Sequence, residues 1–435
     1  MISILSLIIT LFVVVIVHEF GHFIAAKLVG IRVESFSLGF PPKLIGKKIG
    51  ETEYMISAIP LGGYVKMAGM IDESLSDKPL TGAPWEFMSK SYSQKIFAIT
   101  AGVLMNFILA CVLYTGLTMN RGVGEISTPA VAASVDLSES AAIAGLESGD
   151  RIIKIDGEPV DTWCQMQNTI RSRPKSNVEV VWLRDDEEMS AIVSNSRRFL
   201  FSIQKPSAPA NVGSVSPGMP ADSAGILPGD LIVKINGDSV AGWYDMASRI
   251  YSLPDTEVEV VWVREGETMS AILHTATQKI LQDWKMIDGG MIGIGAKMER
   301  RKTGIIESVS KGAQYTFFAG ASTVMGIYML ATGEAGIKDF VGPLGIAHYS
   351  GESMRIGFAA FIGFIAFVSA NIGLLNILPI PVLDGGHLVF ITVEAVIRRP
   401  ISSKVKLVIQ QVGMALLLLF MIIISYNDLM RFLIK

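Results

Sequence analysis

The chain has 435 residues, 50% of them from the set Ala, Val, Ile, Leu, Met, Phe, Trp, Tyr and Cys, with 18% charged and a mean hydropathy of +0.46. This is too apolar for an ordinary soluble protein, and it excludes a disordered chain. Lys plus Arg number 37 against 40 Asp plus Glu, so the net charge of −3 supplies no basic field for nucleic acid, and two cysteines offer no disulfide framework.

Residues 1–26 form the first of four stretches able to cross a ~30 Å hydrocarbon core, which takes roughly 20 helical residues. The others are 96–120, 356–383 and 407–427. No Lys or Arg precedes Lys27, so residues 1–26 lack the basic start of a cleaved signal peptide and read as a retained span. Its charged or titratable residues form one group, His18-Glu19-Phe20-Gly21-His22. Histidines at i and i+4 lie on one helix face and can share a metal; zinc suits imidazole and needs no redox role. Glu19, about 100° around the helix from His18, is placed to act as general base on an attacking water. Ionisable groups inside a span point to function by default.

Residues 31–70 read as short strands joined by Gly and Pro turns, and Asn106 in the uncharged second span reads as a packing contact. Between the second and third spans, residues 134–166 and 214–246 repeat at an offset of 80. Gly149-Asp150-x-Ile152 answers Gly229-Asp230-x-Ile232, and the register runs on through Trp182/Trp262 to Ile192/Ile272. A unit of that length is a small domain, so the pattern predicts two tandem α+β domains. The run Ala144-Gly145-Leu146-x-x-Gly149-Asp150-x-Ile152-x-x-Ile155-Asp156-Gly157 resembles the signature of the bacterial, circularly permuted PDZ domain, with Asn236 for Asp156 in the second copy. The resemblance implies capture of extended peptides or C-termini, against an alternative of inert spacers. Residues 313–332 are uncharged but carry five Gln, Ser and Thr residues, and read as an interfacial or protein-packed helix.

The third span is interrupted by Asn376-x-x-Pro379-x-Pro381-x-Leu383-Asp384-Gly385-Gly386. Broken helices at membrane depth persist only when buried in protein or lining a cavity. A catalytic zinc commonly takes three protein ligands, and Asp384 is the leading candidate for the third, with His387 as its competitor. Nine Lys and Arg run from Lys27 through Lys95 inclusive, and Arg398, Arg399, Lys404 and Lys406 follow the third span with no acid among residues 398–406. The positive-inside rule makes both loops cytoplasmic and puts residues 121–355 on the far side. His22 and Asp384 then both fall in the inner half of the membrane.

Taken together, His18-Glu19-x-x-His22, the Asn376–Gly385 run and the intervening tandem repeat make the chain resemble the site-2 protease family of intramembrane zinc metalloproteases over nearly its whole length. The resemblance implies zinc held by His18, His22 and Asp384, with Glu19 activating water. It implies cleavage within the membrane segment of single-span proteins such as anti-sigma factors or remnant signal peptides. It also implies a bacterial inner-membrane location, with the PDZ pair periplasmic and gating access, and the active site toward the cytoplasm. Residues around Gly63 and Tyr64 look like the family's membrane-associated β-hairpin, which adds substrate as a strand; Asn376 and Asn371 become candidate substrate contacts. The expected organisation is a first span (1–30), a cytoplasmic β region (31–94), a second span (95–120), PDZ domains at 121–204 and 205–284, a periplasmic linker with an interfacial helix (285–354), the broken third span (355–397) and the fourth (398–435). The rival from another class is a membrane-tethered PDZ scaffold with a vestigial metal site. A metal transporter lacks the inverted second half.

Overall fold

The computed structural model describes residues 2–70, 81–136, 141, 144–172, 177–194, 199, 203–282, 285–334, 336 and 340–433. The chain divides into two units, one of Met1–Asn120 with Gly304–Lys435 and one of Arg121–Thr303.

The first unit is helical: α1 (Ile2–Leu28), α2 (Tyr92–Arg121), α3 (Ile305–Thr332), α4 (Pro343–Ile356), α5 (Phe358–Ile377), α6 (Asp384–Ile397) and α7 (Ser403–Leu433). Among the described residues, α1, α2, α5 and α7 are long and apolar enough to cross a membrane. Leu416, Leu418, Leu419 and Ile422 on α7 are more than half exposed, which suits a helix solvated by lipid. Small residues bring the helices together, as expected where packing rather than hydrophobicity drives association. A Cβ on Gly373 of α5 would come within 3.3 Å of the Val103 carbonyl on α2, and one on Gly312 of α3 would meet the Cys111 carbonyl at 2.8 Å.

Buried polar groups are paired across these contacts. Ser369 Oγ donates to the Asn106 carbonyl at 2.9 Å. Asp428 of α7 is buried and accepts the N–H groups of Gly342 (3.2 Å) and Gly345 (2.8 Å), satisfying donors that the start of α4 leaves open. The expected helix at 313–332 begins earlier, at Ile305, and ends on Gly333 in the left-handed region. Residues 31–70 fold into two long bent strands, β1 (Val33–Ile49) and β2 (Thr52–Met67). Residues 33–40 run through the middle of this sheet, pairing with 53–56 on one side and 59–67 on the other, while 43–49 pair with 52–57. Residues 59–67 are left as an edge.

The second unit contains the repeat as two copies of one four-stranded antiparallel sheet. Strands run in the order 158–159, 151–155, 177–184, 187–194 in the first copy and 238–239, 231–235, 257–264, 267–274 in the second. Equivalent pairs such as Ile152↔Trp182 and Ile232↔Trp262 hold the same register, and both tryptophans are buried in their cores. The Gly-Asp signature turns out to be structural. Gly149 and Gly229 take φ of +99° and +105°, which only glycine adopts readily. Asp150 and Asp230 are buried, cap the Glu147 and Leu227 N–H groups at 2.8 Å, and receive the forked guanidinium groups of Arg184 and Arg264. Hydrogen bonds from Arg264 hold the Asp230 carboxyl below the usual range; for Asp150, burial pushes upward but the Arg184 bonds prevail.

One boundary differs from the sequence reading. Residues 285–303 are not a linker: Lys285–Met291 pairs with Ala276–Gln282, Ile294–Ala296 with Val212–Val215, and Met298–Arg301 with Val123–Ile126, while Ile292 sits in the second core. In the first copy Ser134 pairs with Gln204, 70 residues on; in the second Ser214 pairs with Gly295, 81 residues on. A hairpin inserted after His274 ends the simple offset and delays the closing strand.

Candidate active site

His18 and His22 stack one helical turn apart on the face of α1 that meets α2. The approach requires glycine on both sides. A Cβ on Gly21 would lie 2.7 Å from Met105 Cγ, and one on Gly102 would lie 2.7 Å from His22 Cε1. The His22 Nδ1–H donates to the Ala98 carbonyl at 2.9 Å; a carbonyl can only accept, so the Nε2 lone pair is left free.

Asp384 arrives from the break between α5 and α6. Pro379 and Pro381 cannot continue the ladder, so α5 ends at Ile377 and Leu378 turns extended. Val382 has φ of +86°, a strained value for a β-branched residue, two positions before the carboxylate. Gly385 and Gly386 have no room for a Cβ, which would come within 2.5 Å of the Ile377 carbonyl carbon and the Ile380 carbonyl oxygen. This tight turn makes Asp384 the first residue of α6 and aims it at the two histidines.

Asp384 Oδ2 lies 3.0 Å from His18 Nε2 and 3.4 Å from His22 Nε2, and the two Nε2 atoms are 3.1 Å apart. The carboxylate oxygen is nevertheless buried without a hydrogen bond of acceptable geometry. Three groups that can each offer a lone pair crowd together: the two Nε2 atoms are within hydrogen-bond distance of each other, and the Asp384 oxygen is left without such a partner. A tetrahedral zinc with ligand distances of about 2.0–2.1 Å has ligand-to-ligand edges of roughly 3.3 Å, so the trio fits such an ion. Among the described residues these three are the group able to hold a metal.

Glu19 is half-buried on the neighbouring face of α1 and accepts the backbone N–H of Val65 from β2. A Cβ on Gly63 would lie 3.8 Å from Glu19 Cγ while pressing on the Ser37 carbonyl, so glycine lets β2 pass between them. The edge strand of residues 59–67 therefore runs beside Glu19. Asn376 Nδ2 is 3.4 Å from His18 Nε2, bringing this residue into the site as well. Asn371 is not brought in: its amide is held by the Phe367 carbonyl of its own helix at 2.7 Å. The Tyr64 hydroxyl faces Met55 Sδ at 3.7 Å across the sheet.

Two readings from sequence need correction. His387, the rival ligand, points elsewhere, because three residues along α6 carry it deeper. Its Nε2 is 3.4 Å from Gln410 Nε2, in a cavity also lined by Lys95, Glu394 and Lys406. Asn106 is more than a packing contact: its amide lies 3.3 Å from His18 Nδ1. The available signal was an amide midway along an uncharged span. His274 pairs with Asp255 on the surface and His348 lies near Glu352, both outside the site.

The model of peptidase family M50 matches residues 6–420. The chain belongs to peptidase family M50. Its relatives include the regulator of sigma E protease of Haemophilus influenzae, 33% identical with 98% of each chain covered. A Neisseria meningitidis protein named as a zinc metalloprotease is 31% identical over 99% of each chain, and the regulator of sigma-E protease RseP of Escherichia coli is 29% identical over 98% of each. The chain is thus a site-2 type metalloprotease of the RseP group, a zinc enzyme and a multi-pass membrane protein.

Proposed function

We propose that the chain hydrolyses a peptide bond within the membrane segment of single-span proteins, with zinc held by His18, His22 and Asp384. The observation that carries this reading is the convergence of His18 Nε2, His22 Nε2 and Asp384 Oδ2 among helices of membrane-spanning length. Bound there, zinc supplies a Lewis acid for the scissile carbonyl and lowers the pKa of a water. Glu19 takes the proton of the attacking water and passes it to the leaving amine. The Val65 N–H holds the Glu19 carboxylate in place for this role.

Substrate must unwind, because a carbonyl inside an intact helix is shielded and already hydrogen-bonded. The edge strand of residues 59–67 offers replacement backbone partners, so the unwound segment adds to β2 as a strand with Gly63 and Val65 beside Glu19. Asn376 supplies an amide for the substrate backbone or the developing oxyanion. Asn371 is a weaker candidate for that contact.

The two repeats act as circularly permuted PDZ domains on the periplasmic side of the inner membrane, excluding bulky intact ectodomains and admitting trimmed substrates. Their support is the repeated sheet and the signature runs at Gly149-Asp150 and Gly229-Asp230, with the basic loops that make the other side cytoplasmic. Anti-sigma factors are the proposed substrate class, since relatives carry the name regulator of sigma E protease, and remnant signal peptides are a second class of single-span substrate. The test is to incubate purified enzyme with a single-span protein lacking its ectodomain and locate the cut by mass spectrometry. A cut inside the span is expected; cleavage confined to flanking soluble sequence would contradict the proposal.

A further inference from the structure

The second nitrogen of each histidine is engaged by the same helix. On α2, the Ala98 carbonyl takes the His22 Nδ1–H, and eight residues on, the Asn106 side chain meets His18 Nδ1 at 3.3 Å. Asn106 is fully buried where α2 packs between α1 and α5. Its backbone carbonyl is held by Ser369 of α5, and a Cβ on Gly373 of the same helix would lie 3.2 Å from Asn106 Cβ. The residue therefore sits at the junction of two helices that both carry site residues.

With the amide nitrogen toward His18, two groups are mismatched. Asn106 Oδ1 is then buried with no hydrogen-bond partner, and His18 Nδ1 must accept, which places its proton on Nε2. A protonated Nε2 cannot donate a lone pair to a metal. The oxygen and nitrogen of an amide are interchangeable in shape, and turning the group over corrects the mismatch. The orphan oxygen then accepts the His18 Nδ1–H, and Nε2 presents its lone pair alongside those of His22 and Asp384. We infer that Asn106 is a positioning residue whose side-chain oxygen fixes the tautomer and ring orientation of His18 for metal binding. Resting on the site reading above, the inference makes α2 the outer support of both imidazole ligands, one through a backbone carbonyl and one through a side chain.

The test uses the full chain in detergent, comparing wild type with Asn106→Leu, which fills the space without an acceptor, Asn106→Asp, which keeps the acceptor, and His18→Ala. Zinc affinity is read by chelator competition, the ligand field by the visible spectrum of the cobalt(II)-loaded protein, and packing by thermal unfolding of the metal-free protein. Asn106→Leu is expected to weaken zinc on the order of 10–100-fold and alter the cobalt spectrum, with metal-free unfolding little changed. Asn106→Asp is expected to keep the wild-type spectrum and an affinity within about threefold. Wild-type affinity and spectrum in Asn106→Leu would overturn the inference while leaving the metal site standing. Should Asn106→Leu not fold, a tenfold loss of affinity in folded Asn106→Asp overturns it instead. Full zinc binding by His18→Ala would remove the site reading itself, and the inference with it.

Discussion

Replacing Gly102 by alanine sets two effects of one methyl group against each other. Gly102 lies in the interior of α2, where alanine is favoured over glycine by up to about 1 kcal/mol, so the helix itself gains. The methyl, however, would lie 2.7 Å from Cε1 and 2.8 Å from Cδ2 of His22. Carbon atoms rest at about 3.5–4.0 Å, so the ring must retreat by roughly 0.7–1.3 Å. From a starting distance of 2.9 Å, that movement breaks the bond between His22 Nδ1 and the Ala98 carbonyl and draws Nε2 away from Asp384 and His18. Zinc affinity should fall on the order of 10–100-fold, as for loss of an outer support, and turnover by about 100-fold or more, as for a misplacement near 1 Å. Gly116 on the same helix has open space around it, so Gly116→Ala is the control and should leave both unchanged. Chelator competition, substrate cleavage and metal-free thermal unfolding, measured on both variants, separate metal binding from folding. If Gly102→Ala bound zinc and cleaved as wild type does, the close approach of α2 to His22 would be refuted.

Two further predictions concern buried charge. Asp230 is held below the ordinary carboxylate range by Arg264, so the folded protein binds its proton less readily than the unfolded chain. That stabilisation is complete above the ordinary range and is lost as pH falls through the lowered folded value. Asp230→Asn should therefore cost about 1–3 kcal/mol at neutral pH, and the gap in unfolding temperature from wild type should close as pH falls below the ordinary Asp range; a gap independent of pH would contradict the pairing. On α6 and α7, Glu394 and Lys406 are both buried and paired at 2.7 Å, and Glu394 also accepts the Ile401 N–H at 2.9 Å. Glu394→Leu alone should cost about 3–5 kcal/mol by leaving Lys406 and the neighbouring Lys95 without their counter-charge, Lys406→Met should cost less because Lys95 still faces Glu394, and the double variant should cost clearly less than the sum. Additive losses in chemical unfolding would show the two charges to be independent.

Much of this was legible in the residues because strong local constraints wrote it there. Length and apolarity mark the spans, an 80-residue offset marks the repeat, and His18, Glu19 and His22 stand out in a helix where such groups are costly. Asp384 was found because two prolines and two glycines announce a break in an apolar run. What stayed hidden depended on tertiary approach. Gly21 and Gly102 look like any glycines in a membrane helix until the facing backbone is known, and Asn106 reads as packing until it meets His18. His387 and Asp384 are chemically similar candidates three residues apart, and only the turn at Val382–Gly386 decides which one faces the histidines. The closing strand at Ile294–Ala296 is too short to announce itself, and it follows an inserted hairpin that the repeat offset cannot anticipate.

The most direct measurement pairs metal content with cleavage. Wild type and Glu19→Gln are purified in detergent, zinc is quantified in each, and both are given a single-span substrate lacking its ectodomain. One zinc per chain in both proteins is expected, with cleavage inside the span by wild type and a loss on the order of 10²–10⁴-fold in Glu19→Gln. Retained hydrolysis by Glu19→Gln would contradict the assignment of the base, and a folded wild type with neither zinc nor cleavage would contradict the account as a whole.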